Sequence, residues 1–113
     1  MIISEVKIMM KELKIPARPT PVGEMLTEEF LAPLKISQGK LAKAMGVSRK
    51  TVNELCGSRR GATVETALLL SKVFGTISGF WLNLQLMSDV WQAQHNETFL
   101  DKLDHAAPLV GVA

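Results

Sequence analysis

The chain has 113 residues, a formal net charge of +2 and 47% apolar residues, which fits one compact domain and excludes a disordered chain. A single cysteine, Cys56, rules out an internal disulfide framework. The start, Met1-Ile2-Ile3 followed at once by Ser4 and Glu5, lacks the basic region of a secretory signal. The longest uncharged stretch, residues 73–88, carries Gly75, Gly79, Asn83 and Gln85 and is too short and polar to span a bilayer. The expectation is a cytoplasmic protein that makes no membrane association.

Residues 1–19 read as a flexible leader, ended by Pro16, Pro19 and Pro21 in an extended stretch. An amphipathic pattern through Val6, Ile8, Met9 and Leu13 suits either a helix turn or a strand, and Met9 and Met10 are alternative translation starts. From Thr20 onward the pattern is a run of short helices with start and stop signals. Thr20 and Pro21 supply an N-cap and a first-turn proline. Met25, Leu26, Glu29 and Phe30 continue that helix, and Pro33 is expected to stop it. Ser37 caps a second helix over Gln38–Met45 with Leu41, Ala42 and Met45 inward, and Gly46 supplies its left-handed end. Ser48 caps a third, from Arg49 to Leu55 or Cys56, with Val52 and Leu55 inward and Gly57 closing it. Thr63 caps a fourth over Val64–Phe74, with Ala67, Leu70, Ser71 and Phe74 inward and Gly75 at its end. A fifth runs from about Ser78 to Gln94, its expected inner face being Phe80, Leu84, Met87 and Trp91. No segment alternates with period two, so the fold class is all-α. The tail, 95–113, holds one weak helix with Phe99, Leu100 and Leu103 on a face. The expected organisation is thus a leader (1–19), a helical domain (20–94) and a tail.

Charge is segregated. Residues 35–60 hold seven bases, Lys35, Lys40, Lys43, Arg49, Lys50, Arg59 and Arg60, against the single acid Glu54, a net of +6. The other 87 residues hold six bases and ten acids, a net of −4. A basic stripe of this kind suits a polyanion.

The same stretch carries the informative spacing. Two short helices are joined at Gly46-Val47, with Ala42 small at the crossing and Leu41, Val47, Val52 and Leu55 forming an apolar wedge. That is the arrangement of a helix-turn-helix, whose second helix enters the DNA major groove. Its outward residues are Ser48, Arg49, Lys50, Asn53 and Glu54. Arginine and lysine read guanine edges or bind phosphate, and asparagine pairs with adenine. Gln38 is placed to touch a phosphate or to brace the recognition helix. Ser37, Ser48 and Thr51 are phosphate ligands or plain caps, and the two roles coexist at a helix N-terminus. Lys43 joins the DNA-binding set, as do Arg59 and Arg60, which sit between Gly57 and Gly61 where a basic loop can clamp the backbone.

Three separated motifs resemble one known family. Pro21-Val22-Gly23-Glu24-Met25-Leu26 is similar to the "PGE-x-L" opening of the HigA antitoxins, the VapI/HigA branch of the Xre-type helix-turn-helix proteins. Gly57-Ser58-Arg59-Arg60-Gly61-Ala62-Thr63 resembles their loop after the recognition helix, and Phe80-Trp81-Leu82-Asn83-Leu84-Gln85 their "FW-x-N-LQ" signature. The likeness covers roughly residues 19–91 and leaves the leader outside. It departs at Leu69, where the family often has arginine, and at Ser78 and Gly79, where it often has a proline and an acid. The resemblance implies a five-helix, lambda-repressor-like helix-turn-helix fold with a short C-terminal extension. It also implies a dimeric repressor of a double-stranded operator that binds a HigB-type ribosome-dependent mRNA endonuclease as its toxin, although not every family member has a toxin beside it.

The fifth helix supports dimerisation on physical grounds. Phe80 and Leu84 complete the core, whereas Leu86, Val90 and Trp91 leave an apolar surplus suited to a homodimer interface, unless the tail folds back over it. A symmetric dimer implies a palindromic operator. Catalytic readings are weak. His95 and His105 stand ten residues apart in a polar tail, Glu28 and Glu29 point to different helix faces, and Cys56 is most simply a small core residue. The expectation is a non-enzyme without cofactor or metal, acting as a repressor, as a stand-alone regulator without a toxin, or as a mainly toxin-neutralising protein.

Overall fold

The computed structural model describes residues 17–111. The leader pattern over Val6, Ile8, Met9 and Leu13 and the alternative starts at Met9 and Met10 lie outside these residues. Among the described residues every regular element is a helix. α1 covers residues 22–34, as Val22–Met25, a π-helical Leu26–Leu31 and Ala32–Leu34. It is followed by α2 (Gln38–Met45), α3 (Arg49–Cys56), α4 (Val64–Phe74), α5 (Ser78–Gln94) and α6 (Glu97–His105). The class is all-α as expected, with, among the described residues, five helices and a sixth in the C-terminal extension. Residues 20–86 form one compact unit, and residues 17–19 and 87–111 belong to a second.

Local signals explain most helix ends. Ser37, Ser48 and Thr63 each accept a hydrogen bond from the backbone N–H three residues on, at 3.1, 3.1 and 3.2 Å. Each thereby satisfies one of the donors that a helix start leaves unpaired. Gly46 takes a left-handed φ of 71°, and Val47 N–H then reaches the Ala42 carbonyl at 3.0 Å, which turns the chain sharply between α2 and α3.

Two ends depart from expectation, and a third, at Gly57, is as expected with an added detail. Pro21, not Thr20, occupies the N-cap of α1, with φ −64° and ψ 155°. Its ψ is still extended, so the helix begins one residue later, and its carbonyl accepts the first helical bond from Met25 at 3.0 Å. Pro33 does not stop α1 but lies within its last turn. The wider π-helical register just before it gives the ring room beside the carbonyl four residues back, which a regular α-turn would not. The turn closes through Lys35, a non-glycine at φ 54°, with Ile36 N–H donating to the Leu31 carbonyl at 2.9 Å. At the end of α3 the left-handed residue is Ser58 (φ 57°), while Gly57 stays at φ −85°. Arg59 N–H consequently closes the helix on the Glu54 carbonyl at 2.8 Å.

In the 20–86 unit the largest fully buried side chains are Leu26, Leu41, Val52, Leu55, Leu70 and Trp81. The inward residues expected on α2, α3 and α4 are inward, and Ser71 Oγ resolves its burial by donating to the Ala67 carbonyl at 2.8 Å. On α5 the expected inner face is corrected at Trp81 and Met87, while Phe80 and Leu84 pack against the core as expected. Trp81 is fully buried, Phe80 and Leu84 are half-buried, and Met87 is exposed. The rotation follows from the aromatic cluster, in which the Phe30 ring lies 4.9 Å from both Phe74 and Trp81, and Phe80 meets Trp81 edge-on at 5.0 Å. Each such pair contributes about 0.5–1.5 kcal/mol beyond its area burial. Trp81 Nε1 donates to Thr76 Oγ1 at 2.9 Å, so the indole is buried without an unpaired donor.

In the second unit α6 is capped by Asn96, whose Oδ1 accepts from Phe99 N–H at 3.1 Å. It buries no residue, and Phe99, Leu100 and Leu103 are exposed.

The tightest backbone contact is between α1 and the end of α3. A Cβ placed on Gly23 would stand 2.3 Å from the Leu55 carbonyl oxygen and 2.7 Å from that of Cys56. Both are backbone atoms and cannot swing away. A Cβ on Gly57 meets nothing nearer than 3.4 Å. Gly23→Ala is therefore expected to lower unfolding free energy by about 1–3 kcal/mol. Gly57→Ala should be neutral or stabilise by up to about 1 kcal/mol. Denaturant unfolding of the two variants measures the contrast, and equal responses would contradict the close approach.

Candidate nucleic-acid interface

The site is the outer face of α3 and its surroundings. With Val52 and Leu55 inward, the helix period leaves Ser48, Arg49, Lys50 and Asn53 exposed. The N-terminal turn is tied by Ser48, whose Oγ lies 2.8 Å from the Thr51 hydroxyl as well as accepting the Thr51 N–H. Ser37 caps α2 in the same way, so both serines hold helix N-termini whose dipole and remaining N–H groups favour an anion. The Arg49 guanidinium lies about 4 Å from where a Cβ on Gly39 would stand, so no side chain separates it from the first turn of α2. Lys43 is exposed in the last turn of α2.

Three residues that the sequence singled out separately are brought together. Asn53 Nδ2 donates to Gln38 Oε1 at 3.0 Å, and Asn53 Oδ1 accepts from the Arg59 guanidinium. Both ends of the Asn53 amide are thus held, one by α2 and one by the loop after α3. Of the two roles open to Gln38, the brace is present in the free protein. Arg60 pairs with Glu54, Nη2 to Oε1 at 3.0 Å. Both loop arginines therefore turn back onto α3.

The loop is itself anchored. Ala62 N–H donates to Gln85 Oε1 at 2.7 Å, and a Cβ on Gly61 would lie 3.2–3.3 Å from the Gln85 amide atoms. This role of Gln85 was not read from the sequence. Its only signal was membership of the Phe80–Gln85 motif, and nothing in its residue type says that it holds a loop 23 positions away.

The Helix-turn-helix family model matches residues 28–82. An HTH-type transcriptional regulator of Haemophilus influenzae is 42% identical over 91 residues, 80% of this chain and 85% of the relative. Antitoxin HigA-1 of Vibrio cholerae is 42% identical over 82 residues, 73% of this chain and 77% of the relative. The structure of Pseudomonas aeruginosa antitoxin HigA with the higBA promoter superposes with a TM-score of 0.74 at 34% identity, covering 82% of this chain and all of that one. The chain belongs to the HigA/VapI branch of the Xre-type helix-turn-helix family.

In this family member, then, α2 and α3 are the helix-turn-helix pair, and the surrounding residues can be placed on it. Leu86 on α5 is exposed, and Val90 and Trp91 are half-buried. The Trp91 ring stacks on His95 at 4.0 Å, and His95 Nδ1 lies 2.8 Å from the Trp91 carbonyl oxygen. Among the described residues no three of His, Cys, Asp and Glu come together as a metal site, and no helix is long and apolar enough to cross a membrane. Burial pushes the thiol of half-buried Cys56 above its ordinary value, against a smaller lowering from a hydrogen bond with Thr27. The thiol therefore stays protonated and behaves as a small packed residue.

The hydrogen bond from Arg60 holds the Glu54 carboxyl below its ordinary value of 4.5, against partial desolvation and with help from the charges of Arg60, Lys50 and Arg59. A depressed folded pKa makes the pair's contribution present above the unfolded value and lost as pH falls through the folded one. An NMR titration should place the Glu54 midpoint below 4.5 and show it rising in Arg60→Gln. Stability changes little, since the pair is at the surface. Loss of the α3 cap in Ser48→Ala costs about 1 kcal/mol, measurable in the same unfolding experiments.

Proposed function

We propose that the chain is a sequence-specific transcriptional repressor and HigA-type antitoxin that binds a palindromic operator as a homodimer. The observation that carries this reading is the exposed outer face of α3, where Arg49, Lys50 and a doubly braced Asn53 stand together. Gln38, Arg49, Lys50 and Asn53 are assigned to base edges and neighbouring phosphates, and Ser37, Lys43, Ser48 and Thr51 to the backbone. Arg59 and Arg60 stand at the edge of this footprint. The Pseudomonas aeruginosa HigA structure, which contains promoter DNA, supports the reading as a DNA-binding protein. Leu86, Val90 and Trp91 form the homodimer contact on α5, within a working domain of residues 20–94. A symmetric pair sets two recognition helices about one helical turn apart, roughly 34 Å. The protein acts without catalysis or cofactor, in the cytoplasm, and its second partner is a HigB-type toxin. The Haemophilus influenzae relative, named for transcriptional regulation alone, favours as second reading a regulator that works without a toxin.

The test is binding to the DNA upstream of its own gene, titrated across salt against unrelated DNA. For about six to eight phosphate contacts per dimer the log–log salt slope should lie near −5 to −7, with strong preference for the native site. Combined Arg49→Ala and Lys50→Ala should abolish operator binding at an unchanged melting temperature while leaving toxin neutralisation intact. Weak binding without preference would refute the repressor reading.

A further inference from the structure

Glu54 is the single acid in the basic stretch of residues 35–60, and it lies on the helix proposed to enter the groove. A carboxylate on a surface that must approach a polyanion repels it, by about 1 kcal/mol per unit charge at 4 Å even in bulk water. The chain also supplies the compensating group. Arg60 Nη2 sits 3.0 Å from Glu54 Oε1, with the two side chains 47% and 26% exposed. The loop is not loose at this point. It is closed on α3 by Arg59 N–H to the Glu54 carbonyl at 2.8 Å, and held at its far end by Gln85 Oε1 on Ala62 N–H at 2.7 Å. Arg60 is presented to Glu54 between these two fixed points, and the lowered carboxyl pKa agrees with a persistent pair.

We propose that Arg60 is a positioning and charge-masking residue of the recognition helix, which cancels Glu54 so that the reading face meets DNA without a negative charge, and that it is not a phosphate ligand. This rests on the DNA-binding reading above. The two roles differ in what Glu54 contributes. If Arg60 binds a phosphate, removing it removes a contact whatever stands at position 54. If it masks Glu54, removing it is harmful only while the carboxylate is there.

The experiment measures affinity of the full chain for its own upstream DNA across salt, for wild type, Arg60→Ala, Glu54→Gln and the double variant. Melting temperatures control for folding. Masking predicts that Arg60→Ala weakens binding about five- to tenfold, and that the double variant binds within about twofold of Glu54→Gln alone. Arg60→Lys, which keeps the charge, should recover most of the wild-type affinity. A double variant as weak as Arg60→Ala would overturn the proposal, as would an Arg60→Ala variant with undiminished binding. A fall of about one in the salt slope per protomer that persists in the double variant would identify a phosphate contact instead. Failure of the wild-type chain to bind would refute the DNA reading itself, and masking with it. Wild-type binding without rescue refutes masking alone.

Discussion

The position of the recognition helix depends on the contact between the α1 backbone at Gly23 and the last carbonyls of α3. Without a side chain, the α1 backbone comes close enough that a Cβ there would fall within 2.7 Å of the Leu55 and Cys56 oxygens. An α-helix end carries unpaired carbonyls and is ordinarily the part most prone to fraying. Here it is covered by α1 on one side and closed on the other by the turn through Ser58. The same α1 sends Phe30 into the cluster with Phe74, Phe80 and Trp81. One helix therefore connects the aromatic core to the reading element, and a shift of α1 would be felt at the tip of α3.

The polar side of the site follows from this rigidity. Asn53 can be held by Gln38 from α2 and Arg59 from the loop only because α2, α3 and the loop have fixed separations. A side-chain amide that keeps its rotamer before binding loses little entropy on binding, so in the proposed DNA contact Asn53 would act through preorganisation rather than through additional contacts. Gln85 extends the same frame. It is one residue before Leu86 on α5, so the helix that carries a proposed dimer contact also holds the loop from which Arg59 and Arg60 reach α3.

Much of this was legible in the sequence because the signals are local. Ser37, Ser48 and Thr63 announce helix starts by side-chain chemistry, Gly46 and Gly75 announce left-handed ends, and 3.6-residue spacing places Leu41, Val52, Leu55 and Leu70 inward. Departures occur where several outcomes share one local signal. Pro33 ordinarily ends a helix, but a π-helical turn absorbs it. On α5 both Phe80 and Trp81 satisfy an apolar period, and only the positions of Phe30 and Phe74 decide that Trp81 is the buried one. Gly23 and Gln85 were visible as motif members but not as contacts, because what they touch lies in other elements.

The least legible feature was the direction of the charges. Seven bases in one stretch suggest a surface that simply accumulates positive charge. The structure divides them by what they face. Arg59 and Arg60, themselves exposed, turn back onto Asn53 and Glu54, while Lys35, Lys40, Lys43, Arg49 and Lys50 are exposed along the loop before α2, α2 and α3. A basic residue that holds an asparagine or hides a carboxylate acts through the shape and sign of the reading face. One that meets a phosphate acts through counterion release and is sequence-blind. On the proposed reading the same residue type serves selectivity at one position and affinity at another, and the hydrogen-bond partners are what distinguish the two.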